Sequence, residues 1–250
     1  VAAVYAFARI ADDFADEGNE TTARRLGKLD DWQKKLVECY EGRAEHPAFV
    51  AIGETARRTG IPMSLLADLI TAFRMDVTTK RFRKAADVLQ YCGYSANPVG
   101  RLVLHIFGAA SDRLFTLSDS LCTGLQLANF TQDVSVDWQK GRLYVPLEDL
   151  EAIGYTEAEF ASRTFDRRFQ DLMKMQVARA RTFLLAGAPL VHEGPREIRF
   201  ELALTLRGGL AILKRVEGIG YDVLHHRPVI PLLEKARIAA MAFAGGNAWN

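Results

Sequence analysis

The chain has 250 residues, 49% of them hydrophobic and 25% charged, with a net charge of +1. That length can bury a substantial core, in one large globular domain or two small ones. The near-neutral charge excludes nucleic acid as a general partner, and no apolar run approaches the ~18 residues of a membrane span. Cys39, Cys92 and Cys122 are odd in number and lack Cys-x-x-Cys spacing, so they read as buried thiols of a reducing compartment. No signal peptide is visible, and a cytoplasmic location is expected. Both ends, Val1 and Gly-Gly-Asn-Ala-Trp-Asn, read as cut.

Residues 1–17 have the period of a helix. Val4, Phe7, Ile10 and Phe14 fall on one face, and Tyr5, Arg9, Asp12 and Asp16 share another. Gly18-Asn19 ends it. Thr21 or Thr22 caps a second helix running to about Tyr40, and a third runs from about Pro47 to Arg58, stopped by Gly60. Pro62 opens the next, which carries Leu65, Leu66, Leu69, Ile70 and Phe73 and ends near Asp76. The basic cluster Lys80-Arg81-Phe82-Arg83-Lys84 reads as a solvated face, with anionic headgroups as the alternative partner. A helix then reaches about Tyr94, Asn97-Pro98 interrupts it, and helix resumes from Leu102 to Phe107.

Residues 118–138 form a helix whose apolar flank holds Leu121, Leu125 and Val136, and whose polar face holds Gln126, Asn129, Asp133 and Asp137. A basic exit, Lys140-Gly141-Arg142, is closed by Pro146. Short helices are expected near 147–153 and 156–161, long ones over 166–187 and 196–217, and an Ala-rich segment after Pro231. Gly208-Gly209 inside the last long helix either widens a cavity or lets two helices approach closely. With no strand alternation and no repeat, the fold class is all-α, as a single domain.

Two acidic stripes carry the chemistry. Asp12 and Asp16, and again Asp133 and Asp137, stand four residues apart on a helix, so each pair can converge on one cation. Asp137 sits where the helix dipole is unfavourable to acid and needs a compensating cation. Mg²⁺ takes hard oxygen ligands and binds through one or two carboxylates plus substrate phosphates. Two such helices facing each other would hold a cluster of Mg²⁺ ions and neutralise a diphosphate as leaving group. Arg9, Lys140 and Arg142 would add phosphate contacts. Against this, any single Asp-x-x-x-Asp on a helix is ordinarily a solvated face. The five histidines have no ligand spacing, and Trp32 and Trp138 read as packing residues, while Tyr91, Phe107 and Phe130 are candidate ring faces for a carbocation.

The residues themselves add a resemblance. Tyr5-Ala-Phe-Ala-Arg9-Ile-Ala-Asp12-Asp13-Phe-Ala-Asp16-Glu17 resembles the first aspartate-rich motif of the squalene/phytoene synthase family. Gln126 through Asn129, Asp133, Asp137, Gly141-Arg142 and Tyr144 to Pro146 resembles its second, and Tyr91-Cys92-Gly93-Tyr94 with Val99-Gly100 resembles its central helix. The resemblance implies an isoprenoid-synthase fold with a central cavity. It also implies Mg²⁺ and diphosphate on Asp12, Asp16, Asp133 and Asp137, with Gln126 and Asn129 beside the second cluster. Tyr5, Arg9, Arg142 and Tyr144 would contact diphosphate or close the site, and Tyr91 would line the cavity near the rearranging cation. A phosphate-contacting segment upstream of the first motif would be missing from this chain.

Three departures are informative. Gln132 stands where phytoene and dehydrosqualene synthases usually carry Arg, Val136 where Glu is usual, and Ser95-Ala96-Asn97-Pro98 replaces an Ala-Gly or Ala-Ser step. These runs, with Asp-Trp-Gln-Lys-Gly-Arg, resemble the bacterial hopanoid-pathway branch, the hydroxysqualene synthases. The implied reaction ionises presqualene diphosphate and lets water capture the cation, with no NADPH, and Asn97 or Gln132 would position that water. The alternatives are a head-to-head prenyl transferase using farnesyl diphosphate, and a non-catalytic helical lipid-binding or assembly module. Apolar substrate and product imply weak peripheral association with the cytoplasmic membrane face, and other hopanoid-pathway enzymes as partners. No amphipathic anchor stands out.

Overall fold

The structure, a computed structural model, describes residues 1–16, 18 and 20–243. Glu17, Asn19 and the closing Gly-Gly-Asn-Ala-Trp-Asn therefore lie outside the described residues. Every regular element among them is helical: α1 Ala2–Asp16, α2 Thr22–Tyr40, α3 Pro47–Thr59, α4 Met63–Thr78, α5 Ala85–Ser95, α6 Asn97–Ile106, α7 Asp112–Gln132, α8 Val134–Gln139, α9 Leu147–Ile153, α10 Glu157–Ala161, α11 Arg167–Gly187, α12 Leu190–Glu193, α13 Arg199–Gly218 and α14 Leu232–Phe243. The fold is all-α. No described helix is long and apolar enough to cross a membrane.

The chain forms two compact units, Val1–Thr79 with Tyr91–Phe115, and Lys80–Gln90 with Thr116 onward. In the first, α1 packs on α2, α3 and α4, and α4 packs on α2 and α6. The predicted apolar face of α1 points inward: Phe7 is fully buried, Val4 is buried, and Ile10 and Phe14 pack against the same core. Trp32 is the hub of that core, with ring centroids 5.8 Å from Phe7, 5.5 Å from Phe14 and 4.4 Å from Phe49. The helix ends are set by local chemistry. Thr21 accepts from the Arg24 amide, His46 accepts from the Ala48 amide through Nδ1 beside Pro47, and Gly60 closes α3 at φ 69°. Arg25 reaches back from α2 to the carbonyls of Ala15 and Gly18, satisfying the orphan acceptors at the end of α1.

The second unit is organised by glycines. A Cβ on Gly124 of α7 would lie 2.6 Å from the backbone N of Leu184, and one on Gly187 of α11 would lie 2.5 Å from that of Leu121. These two glycines let α7 and α11 cross with backbones almost touching. Of the Gly208-Gly209 pair, Gly209 meets Leu125 at 3.0 Å and Leu184 at 3.2 Å, whereas nothing lies within 4 Å of the equivalent point on Gly208. Gly209 thus serves close helix approach. Asp149 of α9 is buried and bound by Gln176 at 2.8 Å and by both terminal nitrogens of Arg179, a satisfied buried ionic network that ties α9 to α11.

The basic cluster at 80–84 is a solvated face at Lys80, Arg83 and Lys84, which are exposed, and departs from that reading at Arg81 and Phe82. Its backbone pairs with the exit from α8, Lys80 accepting from Leu143 at 3.0 Å and Phe82 from Leu147 at 2.9 Å. Phe82 is 4% exposed. Arg81 donates to the Gly141 carbonyl and to Glu157, each at 2.7 Å, and lies 4.9 Å from the Trp138 ring. Alternation of Phe with Arg in a short extended segment buries the ring while Arg81 bridges neighbouring turns.

Gly124→Ala or Gly187→Ala is expected to destabilise the protein by about 1–3 kcal/mol, because backbone atoms cannot yield to the added methyl. Gly208→Ala should be neutral or stabilising by up to about 1 kcal/mol, since it adds helix propensity in open space. Denaturant unfolding of the three variants measures both effects.

Candidate functional site

On α1, the stripe Tyr5, Arg9, Asp12, Asp16 lies on the face opposite the core. Tyr5 is 68% exposed, Asp12 half-buried and Asp16 exposed. Arg9 donates to Asp12 at 3.1 Å and pairs with Asp13 at 2.7 Å, one and the same guanidinium holding two carboxylates of the motif. Asp13 is a residue that the stripe argument passed over, although it lies at i+4 from Arg9. In the same unit the Tyr91 hydroxyl donates to Asp76 at 2.7 Å and the ring is buried. Asn97 is half-buried at the first position of α6, beside the buried Pro98.

In the second unit the predicted long helix is interrupted at Asp133, whose φ of −103° and ψ of 16° leave the helical region and separate α7 from α8. The backbone ladder nonetheless carries through: the Asp133 amide donates to Asn129 O at 2.9 Å and the Asp137 amide to Asp133 O at 2.8 Å. Asn129, Asp133 and Asp137 therefore keep their one-turn spacing across the bend. Asn129 is exposed, Gln126 half-buried and Gln132 buried. Gly141 at φ 77° ends α8, with its amide on Trp138 O and that of Arg142 on Asp137 O. This Schellman closure sets the half-buried Arg142 one turn beyond Asp137. Tyr144 is stacked face to face on Phe130, ring centroids 3.8 Å apart, and flanked by Phe82 at 5.6 Å. Trp138 packs on Phe160 at 5.5 Å.

A further cation belongs to this half. Arg227, in the loop between α13 and α14, donates to both oxygens of Asp133, at 2.6 and 3.1 Å. The next residue, Pro228, accepts the Gln132 side-chain amide at 2.6 Å. Sequence reasoning missed Arg227, whose only local signal is the run His225-His226-Arg227-Pro228, 94 residues from Asp133.

The electrostatics fit a divalent cation. Burial, and then the neighbouring Asp133 charge, push the Asp137 carboxyl up to about 6, against the opposing pull of Lys140, Arg142 and Arg227. At Asp137 burial and the neighbouring carboxylate together outweigh three nearby basic side chains. Among the described residues no three or more acidic, histidine or cysteine side chains converge on one point. Each motif offers a pair, which suits Mg²⁺ completed by water and phosphate oxygens rather than an all-protein cage. Asp133 with Asp137, and Asp12 with Asp16, are the residues that would hold it.

The sequence profile of the squalene/phytoene synthase family matches residues 1–234. The chain belongs to that family. Within it, the hydroxysqualene synthase of Sinorhizobium fredii is 35% identical over 208 residues, covering 82% of this chain and 70% of that protein. The phytoene synthase of Arthrospira platensis is 28% identical over 253 residues, covering 96% and 82%. The crystal structure of squalene synthase HpnC from Alicyclobacillus acidocaldarius superposes with a TM-score of 0.83 at 37% identity, covering 88% of this chain and 82% of that one. The family is one of enzymes, and its members matched here are named as synthases.

Because the folded Asp137 value lies above its ordinary one of 3.8, its contribution to stability is full below that value and is lost as pH rises through about 6. In a chelating buffer, Asp137→Asn should therefore stabilise the protein at pH 7–8, by about 1–2 kcal/mol, with no gain near pH 3.5. Thermal unfolding across that pH range reads the difference.

Proposed function

We propose that this chain converts presqualene diphosphate and water into hydroxysqualene and diphosphate with Mg²⁺, without NADPH, in the hopanoid branch of isoprenoid synthesis. The observation that carries the reading is the second motif: an undercompensated Asp133/Asp137 pair flanked by Arg142, in a chain 35% identical to a hydroxysqualene synthase. Mg²⁺, when bound, neutralises the departing diphosphate.

Each residue has a defined task. Asp12, Asp16, Asp133 and Asp137 hold metal and orient the diphosphate. Arg9 and Arg142 add charge-assisted contacts to its oxygens. Tyr5 and Tyr144 border the diphosphate, the latter ordered by its stack on Phe130. Gln126 and Asn129 extend the polar stripe beside the second pair. Tyr91 lines the cavity near the cation, its hydroxyl oriented by donation to Asp76. Asn97 or Gln132 positions the capturing water. Gln132 has one amide hydrogen committed to Pro228, which leaves its second and its carbonyl oxygen for that task. The apolar substrate and product imply peripheral contact with the cytoplasmic membrane face and proximity to other enzymes of the pathway.

A second reading, a head-to-head prenyl transferase acting on farnesyl diphosphate, is favoured by the near full-length match to a phytoene synthase. Gas-chromatographic product analysis with each diphosphate alone, with and without Mg²⁺ and NADPH, separates the two. Presqualene diphosphate should yield hydroxysqualene in Mg²⁺ alone, and a C30 product from farnesyl diphosphate alone would defeat the first reading. Asp12→Asn or Asp133→Asn should lower turnover by at least about 100-fold, the loss of one oxyanion-stabilising group being worth roughly 10²–10³. Retained turnover would remove the metal-holding role of these carboxylates, and a wild type that turns over neither diphosphate would favour the non-catalytic helical module. Asn97→Ala and Gln132→Leu should shift product away from the alcohol, and unchanged hydroxysqualene yield from both would remove the water-positioning role.

A further inference from the structure

The end of α7 and the loop after α13 are joined at two consecutive residues on each side. Arg227 grips both oxygens of Asp133, and Pro228 takes the amide of Gln132. Upstream the loop is fixed independently. Tyr221, at φ 69°, donates its amide to Val216 O, Val223 and Leu224 are buried, and Asp222 accepts from the His225 amide. The stretch from His226 to Val229 meets α7 through the Arg227 and Pro228 contacts, and the Arg227 side chain is itself about half exposed.

A guanidinium fork on a carboxylate engages lone pairs of both oxygens. A hard divalent cation draws on the same carboxylate charge at close range, and a guanidinium held beside it repels it. The bidentate fork and a metal therefore compete for Asp133. Arg9 differs in that it reaches Asp12 and Asp13 from the same helix.

We infer that Arg227 is a displaceable internal counterion, which occupies Asp133 until metal arrives and yields the carboxylate on loading, freeing its guanidinium and loosening the loop from His226 to Val229. The inference rests on the Mg²⁺–diphosphate reading above and names how that site is regulated. Before loading, Arg227 offsets part of the repulsion between Asp133 and Asp137. After loading, the metal does so. Gln132–Pro228 does not involve the carboxylate and keeps the loop within reach for the reverse exchange.

The test is isothermal titration of the whole chain with MgCl₂, with and without inorganic diphosphate, in wild type, Arg227→Gln, Arg227→Lys and Asp133→Asn. Amide hydrogen exchange over 225–231 is followed in parallel. Arg227→Gln should bind Mg²⁺ about five- to tenfold more tightly than wild type, as expected when a charge-assisted pair no longer has to be broken. Arg227→Lys, which keeps charge but not the fork, should fall between. Mg²⁺ should speed exchange at 225–231 in wild type, and in Arg227→Gln exchange should be fast already and insensitive to metal. Unchanged or weaker Mg²⁺ affinity in Arg227→Gln, with wild type binding metal, overturns the exchange alone. A wild type that binds no Mg²⁺ in either condition overturns the metal–diphosphate reading with it.

Discussion

Two carboxylates one helical turn apart on a half-buried face repel each other, and the second unit is arranged around that repulsion. Asp133 and Asp137 stay aligned because the backbone ladder from Asn129 to Asp137 survives the bend between α7 and α8. Burial raises the cost of the charge, and basic groups come in from several directions. Lys140 and Arg142 follow Asp137 directly in the chain, while Arg227 arrives from a distant loop. Their combined effect still leaves the Asp137 carboxyl at about 6. Burial is the larger cause of that rise and the Asp133 charge the smaller, so a cation beside both carboxylates would offset a cost that the three basic side chains do not.

The surrounding packing holds that face still. Gly141 turns the chain sharply after α8, and Arg81 ties the turn by donating to the Gly141 carbonyl while its guanidinium lies against Trp138. Phe82, Tyr144 and Phe130 then form a continuous stack beneath the exit segment. The stack fixes Tyr144 with two aromatic contacts and leaves its position dependent on α7 through Phe130. Behind α7, the crossing at Gly124 and Gly187 brings the α11 backbone so close that neither helix can slide without a clash. Rigid packing on one side and unbalanced charge on the other are what preorganisation of an ionising site requires.

Much of this was legible in the chain. The helices followed from apolar spacing and from Pro, Gly and Thr punctuation, and the caps at Thr21 and Gly60 fall where such residues are expected, whereas the imidazole cap from His46 left no such signal. The acidic stripes were legible because i and i+4 is a local relation. Arg227 was not, because a contact across 94 residues through an irregular loop leaves no periodic trace. Gly124 and Gly187 were passed over for a different reason: inside a helix a glycine signals only lost propensity, and what it permits depends on the partner helix. The cluster at 80–84 was legible as a solvated face at Lys80, Arg83 and Lys84, but its charge count hid the buried Phe82 and the backbone pairing to Leu143 and Leu147.

The two motifs also differ in how they carry their own counterions, and the difference has a physical consequence. Arg9 sits three and four residues before Asp12 and Asp13 on one exposed helix, so its pairing costs little to form or to break, and solvent screens it. Arg227 is attached to a loop, holds Asp133 bidentately, and lies next to the tether at Pro228. Breaking the first pair would separate side chains of a single helix. Breaking the second would remove one of two adjacent contacts, at Asp133 and at Gln132, through which the loop is held to the end of α7.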